Sequence, residues 1–360
     1  MARRTIIPFG PQHPILPEPI HLDLVLEDEK VIEAIPSIGF IHRGLEMLTS
    51  KHEWPEMVYV IERVCGICSF GHGWGYCMTI EGNLGVEAPP RAVYLRTIWH
   101  ELSRVHSHLL WLGCTADAFG FESLFMHAWR LRETVLDIFE ETTGGRVIFS
   151  VCKVGGVRKD ITNEKLEEIV KTLKGMEKEI AELAVVFMED ISVKNRMFGV
   201  GKLTKEEAID LGAVGPMARA SGYNNDVRLD GHGVYAELGF EPVLETAGDC
   251  YARSKVRLRE ITQSIELIEK AVAQIPDGEI AVEIKGKNPA GEYIARLEQP
   301  RGEAYYYSKG SGQKFLERMR VRTPTNANIP ALVKTLQGCE LADVPVLILT
   351  IDPCISCTER

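Results

Sequence analysis

Two cysteine pairs carry the sharpest chemistry in this chain. One is Arg63-Val64-Cys65-Gly66-Ile67-Cys68, with His72 shortly after it; the other is Asp352-Pro353-Cys354-Ile355-Ser356-Cys357, close to Arg360. Two cysteines with two residues between them can turn both sulfurs onto one metal, and Gly66 permits the tight turn. Four thiolates favour a soft or borderline metal: zinc, iron in a cluster, copper(I) or nickel. Zinc ribbons hold their pairs about 15–20 residues apart, whereas most of this chain lies between these two. A structural tetrathiolate zinc is therefore the weaker reading. A thioredoxin-like redox pair would leave the other pair without a role. A shared metal site accounts for both, and would tie residues 352–360 into the core instead of leaving them to fray. Of nine cysteines, Cys77, Cys114, Cys152, Cys250 and Cys339 lack paired spacing and read as buried thiols.

A metal site that moves protons needs a group to accept them. Glu18, in Leu16-Pro17-Glu18-Pro19, is one candidate, although a solvated loop carboxylate is the commoner case. Glu46 follows His42-Arg43-Gly44 at a helix start, where it serves as a cap-proximal carboxylate or a hard-cation ligand. Glu101, Arg104 and His108 share one helical face, which reads as an exposed, salt-bridged surface. Arg301, in the turn Pro300-Arg301-Gly302, offers planar donors to an anion. Thr325, in Thr323-Pro324-Thr325-Asn326, opens a short helix with a hydroxyl and free amides. Asp352 stands beside Cys354, placed to hydrogen-bond around a metal.

The elements that must position these groups are mostly helical. Periodicity predicts helices over roughly 43–51, 54–67, 88–118, 121–142, 163–192, 204–213 and 250–275. The alternation from His21 to Ile35, turning at Glu27-Asp28-Glu29-Lys30, predicts a hairpin. Short strands are expected at Glu279–Ile284 and Tyr305–Tyr307, and the apolar run Val344–Ile351 suits a buried strand. The expectation is one α+β domain over residues 1–360, a helical central bundle with small sheets near both ends. Among 360 residues, 45% are apolar and 26% charged, ordinary globular values. A net charge of −10 argues against nucleic-acid binding, which needs a basic face. No run is long enough to span a bilayer, and MARRTIIPFG lacks a secretory signal's apolar core. A cytosolic location is expected.

The set R-x-C-G-x-C-x-x-x-H with D-P-C-x-x-C resembles the catalytic large subunit of nickel-iron hydrogenases. Pro11 to Pro14, GFIHRGLE (39–46), the Glu101-to-His108 helix and GPMARASGYNNDVR (215–228) narrow the resemblance to the group 4 branch. That branch is membrane-bound and energy-converting, of Ech or carbon-monoxide-induced type, and similar to the 49-kDa quinone-site subunit of respiratory complex I. The resemblance spans essentially the whole chain and implies the nickel-iron hydrogenase large-subunit fold. It implies a nickel-iron centre whose iron carries carbon monoxide and two cyanides. Cys65 and Cys354 would be terminal nickel ligands, while Cys68 and Cys357 would bridge the metals. Arg301 would hydrogen-bond a cyanide, and Pro300 and Thr325 would line the iron ligands. Asp352 and Glu101 would lie around the ligands, the second by an approximate alignment only. His72 would orient a thiolate, and Glu18 would take a proton from Cys354.

One departure stands out. Many hydrogenases end the second motif in C-x-x-H, the histidine helping to hold magnesium or iron. Arg360 occupies that place and can only donate hydrogen bonds. Its guanidinium is expected to replace the cation by pairing with Glu46, so bound magnesium is doubtful. The resemblance further implies reversible proton reduction to H2 with electrons from reduced ferredoxin, reached indirectly. No cysteine set remains for an iron-sulfur cluster in this chain. Electrons would arrive through an iron-sulfur small subunit and other hydrophilic iron-sulfur subunits, and integral membrane subunits would translocate ions. The chain would then sit peripherally on the cytoplasmic face of the membrane. The rival readings are a complex I-like quinone-site or coupling subunit without hydrogenase activity, a lineage that lacks the metal ligands, and the zinc protein above.

Overall fold

A computed structural model describes residues 4–360. Three strands near the start, β1 (Arg4–Phe9), β2 (His21–Glu27) and β3 (Lys30–Ser37), form an antiparallel sheet in that order. Its central strand buries Leu22, Leu24 and Leu26 and turns the intervening residues outward, as a strict period of two requires. The expected hairpin is thus β2–β3, with β1 added along its edge. Two-residue strands β4 (Cys152–Lys153) and β5 (Gly156–Val157) pair by themselves. A second three-stranded sheet, β6 (Ala290–Gln299), β7 (Gly302–Ser311) and β8 (Leu316–Arg322), is also antiparallel. Tyr305–Tyr307 belongs to its middle strand, and Pro300-Arg301 forms the β6–β7 turn.

Helices fill the space between the sheets. They are α1 (Leu45–Leu48), α2 (Met57–Glu62), α3 (Ser69–Leu84), α4 (Pro90–Ala118), α5 (Glu122–Thr143), α6 (Asn163–Glu189) and α7 (Ile191–Met197). After them come α8 (Lys205–Asp210), α9 (Pro216–Arg219), α10 (Cys250–Gln274), α11 (Pro324–Leu336), α12 (Val344–Ile351) and α13 (Ile355–Glu359). At the centre, α4 packs along both α5 and α10. It starts on Pro90, whose fixed φ and missing N–H suit a first turn. Local caps decide several boundaries. Thr162 accepts a hydrogen bond from Lys165 N–H and starts α6. Asp190 accepts from Ser192 and Val193 N–H, so it ends α6 and starts α7, breaking the continuous helix expected to 192.

Other expectations are corrected. Val344–Ile351 is a helix, not a strand, because an unbroken apolar run carries no period and burial alone satisfies either state. Pro345 in its first turn fits the helix. Residues 279–284 form no strand; only Ala281 bridges to Gly156. The helices expected over 43–51 and 54–67 shrink to α1 and α2, which frees the chain to loop through Cys65 and Cys68. Helix α3 lacks a prediction altogether, for a reason that lies in the site.

Candidate metal centre

The cysteine pairs come from opposite ends of the chain and meet in one buried cluster. Cys65 lies in the loop after α2, Cys68 just precedes α3, and Cys354 and Cys357 belong to the start of α13. Cys65 Sγ stands 3.3 Å from Cys354 Sγ, and Cys68 Sγ 3.5 Å from Cys357 Sγ. None of the four is more than 2% exposed. Each pair makes the same local turn: Cys68 N–H donates to Cys65 Sγ at 3.3 Å and Cys357 N–H to Cys354 Sγ at 3.4 Å. Such donors favour a thiolate. Burial opposes ionisation of Cys68, yet hydrogen bonds from Cys354, Cys357 and Cys65 hold it well below the usual thiol range. Burial, with Cys354, Cys65 and Cys68 as neighbours, pushes Cys357 well above it. Four crowded thiols cannot all ionise without a cation among them.

The surrounding groups are ordered. His72 Nε2 lies 3.4 Å from Cys357 Sγ, and Thr325 Oγ1 accepts from Cys354 N–H at 3.0 Å. Arg301 reaches in from the β6–β7 turn. Its Nε donates to Asp352 O at 2.7 Å, one Nη to Asp352 Oδ1 at 2.8 Å and the other to Ser107 Oγ at 3.2 Å. Burial works against its charge, but Asp352 and the cysteine cluster hold the guanidinium protonated. Pro300 is buried beside it. Asp352 Oδ2 is buried without a partner. A cavity of about 190 Å³ lies against the cluster, lined by Glu18, Cys114, Arg301, Asp352 and Cys354 among others. Glu18 accepts from the N–H groups of Ile355 and Ser356, the second at 3.0 Å, and from the Ser356 hydroxyl.

Three side chains explain the unusual α3. A Cβ at Gly71 would stand 3.2 Å from the Gln299 side chain, one at Gly73 2.5 Å from the Glu62 carboxylate, and one at Gly75 2.2 Å from the Tyr306 ring. Each helical glycine costs about 1 kcal/mol relative to alanine. The run Gly71-His72-Gly73-Trp74-Gly75 therefore reads poorly as a helix, and tertiary packing overrides the propensity.

The last residues are held by the segment before α1. Glu359 accepts from Gly39 N–H at 2.6 Å and Ile41 N–H at 2.5 Å, and Arg360 O accepts from Arg43 and Gly44 N–H at 3.1 Å. Arg360 Nε lies 3.4 Å from Glu46 Oε1, and Arg320 contacts the other oxygen at 3.3 Å. Arg43 is a residue that sequence reasoning left without a role. It donates to Arg63 O, Val64 O and Ser356 O at 2.7, 2.9 and 3.1 Å, stapling the two cysteine loops together.

Glu101 is placed elsewhere, and the expected exposed face is fully buried. Glu101 accepts from Arg104, from Tyr235 at 2.6 Å and from Ser264 at 2.6 Å. It belongs to a cluster with Arg104, Arg219, Arg228, Asp226, Glu260 and Glu298, none more than 3% exposed. His108 meets Glu260 at 2.8 Å, and Arg219 joins Glu260 and Glu298 at 2.7 Å each. Burial opposes the Glu101 charge, but Arg104 and Arg228 lower it to about 2. Three guanidiniums face four carboxylates, and the surplus falls on Glu298, raised to about 7 by burial and by Asp226. On α4, Ser107 accepts a hydrogen bond from Arg301.

Comparison with known proteins places the chain. Residues 118–288 and 284–360 match the family described as respiratory-chain NADH dehydrogenase, 49 Kd subunit; residues 43–113 match nickel-dependent hydrogenase. The chain belongs to the family that joins membrane-bound hydrogenase large subunits to the 49-kDa subunit of complex I. Within it, the chain is 38% identical to the membrane-bound hydrogenase subunit alpha of Pyrococcus furiosus, over 98% of this chain and 87% of that protein. It is also 38% identical to the carbon monoxide-induced hydrogenase of Rhodospirillum rubrum, over 98% and 99%. A chain of the archaeal membrane-bound sulfane sulfur reductase shares its fold at a TM-score of 0.94 and 30% identity, over 99% of this chain and 98% of that one. The chain is thus an oxidoreductase subunit of a kind found in membrane-bound respiratory complexes. Among the described residues, no helix is long and apolar enough to cross a membrane.

Proposed function

We propose that this chain is the catalytic subunit of a membrane-associated nickel-iron hydrogenase catalysing 2H+ + 2e− ⇌ H2. The convergence of four buried thiols, with sulfur pairs 3.3 and 3.5 Å apart, carries the reading. It favours this activity over a quinone-site or coupling role, which needs no such ligand set. The residues fit the family's centre. Cys65, Cys68, Cys354 and Cys357 would hold nickel and iron, and the donors of Arg301 face a cavity able to take anionic iron ligands. When bound, the centre supplies the two-electron chemistry by which H2 is formed or split.

The protein's own groups manage charge and protons. Cys354 holds a proton at sulfur, and Glu18, on the wall of the same cavity, takes it from there. The amides of Ile355 and Ser356 fix that carboxylate beside Cys354. Arg301, with its charge balanced by Asp352, keeps a fixed positive end facing the cavity. Arg360 supplies the positive charge beside Glu46 where relatives with a terminal histidine would hold a cation.

Electrons come from reduced ferredoxin through a separate iron-sulfur subunit, and integral membrane partners couple turnover to ion movement. The chain itself binds peripherally at the cytoplasmic face. Metal analysis of the purified complex tests the reading. Nickel together with iron is the expected result; zinc alone, or no metal, overturns it.

A further inference from the structure

Helix α3 is opened by glycines on both sides of His72, and what enters is a polar chain, not apolar filling. Gln299 Nε2 lies 2.7 Å from Tyr306 Oη, Tyr306 Oη lies 3.0 Å from His72 Nδ1, and His72 Nε2 lies 3.4 Å from Cys357 Sγ. Every member except the sulfur sits on an element that another member braces. Gln299 and Tyr306 come from adjacent strands β6 and β7, and Gly71 and Gly75 leave the room they occupy. All four side chains are buried, at no more than 1% exposure.

We propose that Gln299 and Tyr306 are positioning residues that fix His72 as its Nε2–H tautomer, so that it donates a hydrogen bond to the Cys357 thiolate. This rests on the thiolate metal site proposed above. The direction follows from donor arithmetic. The Gln299 amide donates to the tyrosine oxygen, which leaves the phenolic proton for His72 Nδ1; the alternative acceptor, Gly71 O, is farther at 3.4 Å. With Nδ1 accepting, the ring proton must reside on Nε2, facing sulfur. The reverse polarity would aim the Nε2 lone pair at a sulfur that must be a thiolate to hold a metal. Of the two neutral tautomers, only the Nε2–H form is therefore compatible with a loaded site. The donated bond draws charge from Cys357 and thereby tunes the metals it binds.

The test uses the purified complex, with metal content and the infrared bands of the iron-bound diatomic ligands measured beside hydrogen–deuterium exchange. Tyr306→Phe should keep nickel and iron at wild-type levels, shift those bands and slow exchange roughly tenfold, the lower end for lost outer partners of metal ligands. In a His72→Gln background the glutamine amide can donate to sulfur without help. There, adding Tyr306→Phe should shift the bands no further. Equal shifts in both backgrounds, or unchanged bands, would overturn the proposal. Should Tyr306→Phe fail to assemble, Gln299→Met removes the first donor with little change of volume. It should shift the bands in the same direction by less, and no shift would likewise overturn it. Absence of nickel and iron from the wild-type complex removes the hydrogenase reading itself, and is seen before any variant is made.

Discussion

Two regions of this protein bury polar chemistry, and they differ in who supplies the counter-charge. Around Glu101, three guanidiniums and four carboxylates pair with one another between α4, α9, α10 and β6, and hydroxyls and a histidine add hydrogen bonds, while one Nη of Arg104 and one of Arg228 stay without a hydrogen-bond partner. At the cysteines, four thiols crowd together with backbone amides and one histidine ring, and among the described residues no lysine or arginine hydrogen-bonds their sulfurs. The first region carries its own counter-charges. The second crowds ionisable sulfurs together, and the metal proposed above would supply their counter-charge. Burial by itself distinguishes nothing here; the balance of donors, acceptors and charge does.

Variants can break this contrast. The largest effect should come from Cys357→Ser, which is expected to abolish hydrogen–deuterium exchange and lower bound nickel while leaving thermal stability nearly unchanged. Retained exchange would remove Cys357 from the metal site. Arg219→Met should do the opposite. It strips a cation from Glu260, Glu298 and Asp226, and uncompensated buried charge costs about 3–5 kcal/mol, readable in denaturant melts. A loss below about 1 kcal/mol would mean that the cluster relaxes or protonates instead.

A smaller effect is expected from Glu18→Gln, with exchange slowed about 10–100-fold and metal content intact. Undiminished turnover would point to another proton acceptor. The smallest concerns Glu62, where burial raises the carboxyl from 4.5 to about 7 against the lowering effect of its Ser150 hydrogen bond. Between those values the folded chain keeps a proton that the unfolded chain has lost, so this group makes stability fall as pH rises through the window. Glu62→Gln should flatten that slope and stabilise the protein at pH 8 by on the order of 1–3 kcal/mol. An unchanged pH profile of melting would show that Glu62 is not the titrating group.

The same contrast explains what could be read in advance. The cysteine pairs were legible because ligand spacing is local: two residues between sulfurs determine a turn whatever the remaining chain does. That both pairs share one spacing already favoured a single site, but the identity of the metals and the role of each sulfur came only from the family resemblance, since no spacing rule reaches from Cys68 to Cys354. The Glu101, Arg104 and His108 face was misread as exposed because helical period reports a shared face and not its environment. Its partners Arg219, Asp226, Glu260 and Glu298 lie far away in sequence. Helix α3 was hidden by its glycines, whose reason is three side chains from other elements. In α12 the run from Val344 to Ile351 has no period to read, while the long helices α4, α5 and α10 lay close to their expected bounds.

The cysteines that meet in space stand 289 residues apart in the chain. At about 5–20 residues per second on a ribosome, that interval is on the order of tens of seconds. Throughout it, a nascent chain can offer Cys65 and Cys68 alone, and Glu18 has no amides of Ile355 and Ser356 to hold it in place. Assembly of the four-thiol site is therefore ordered in time by its position in the chain, because the sulfurs can close only after the 289-residue interval has been made.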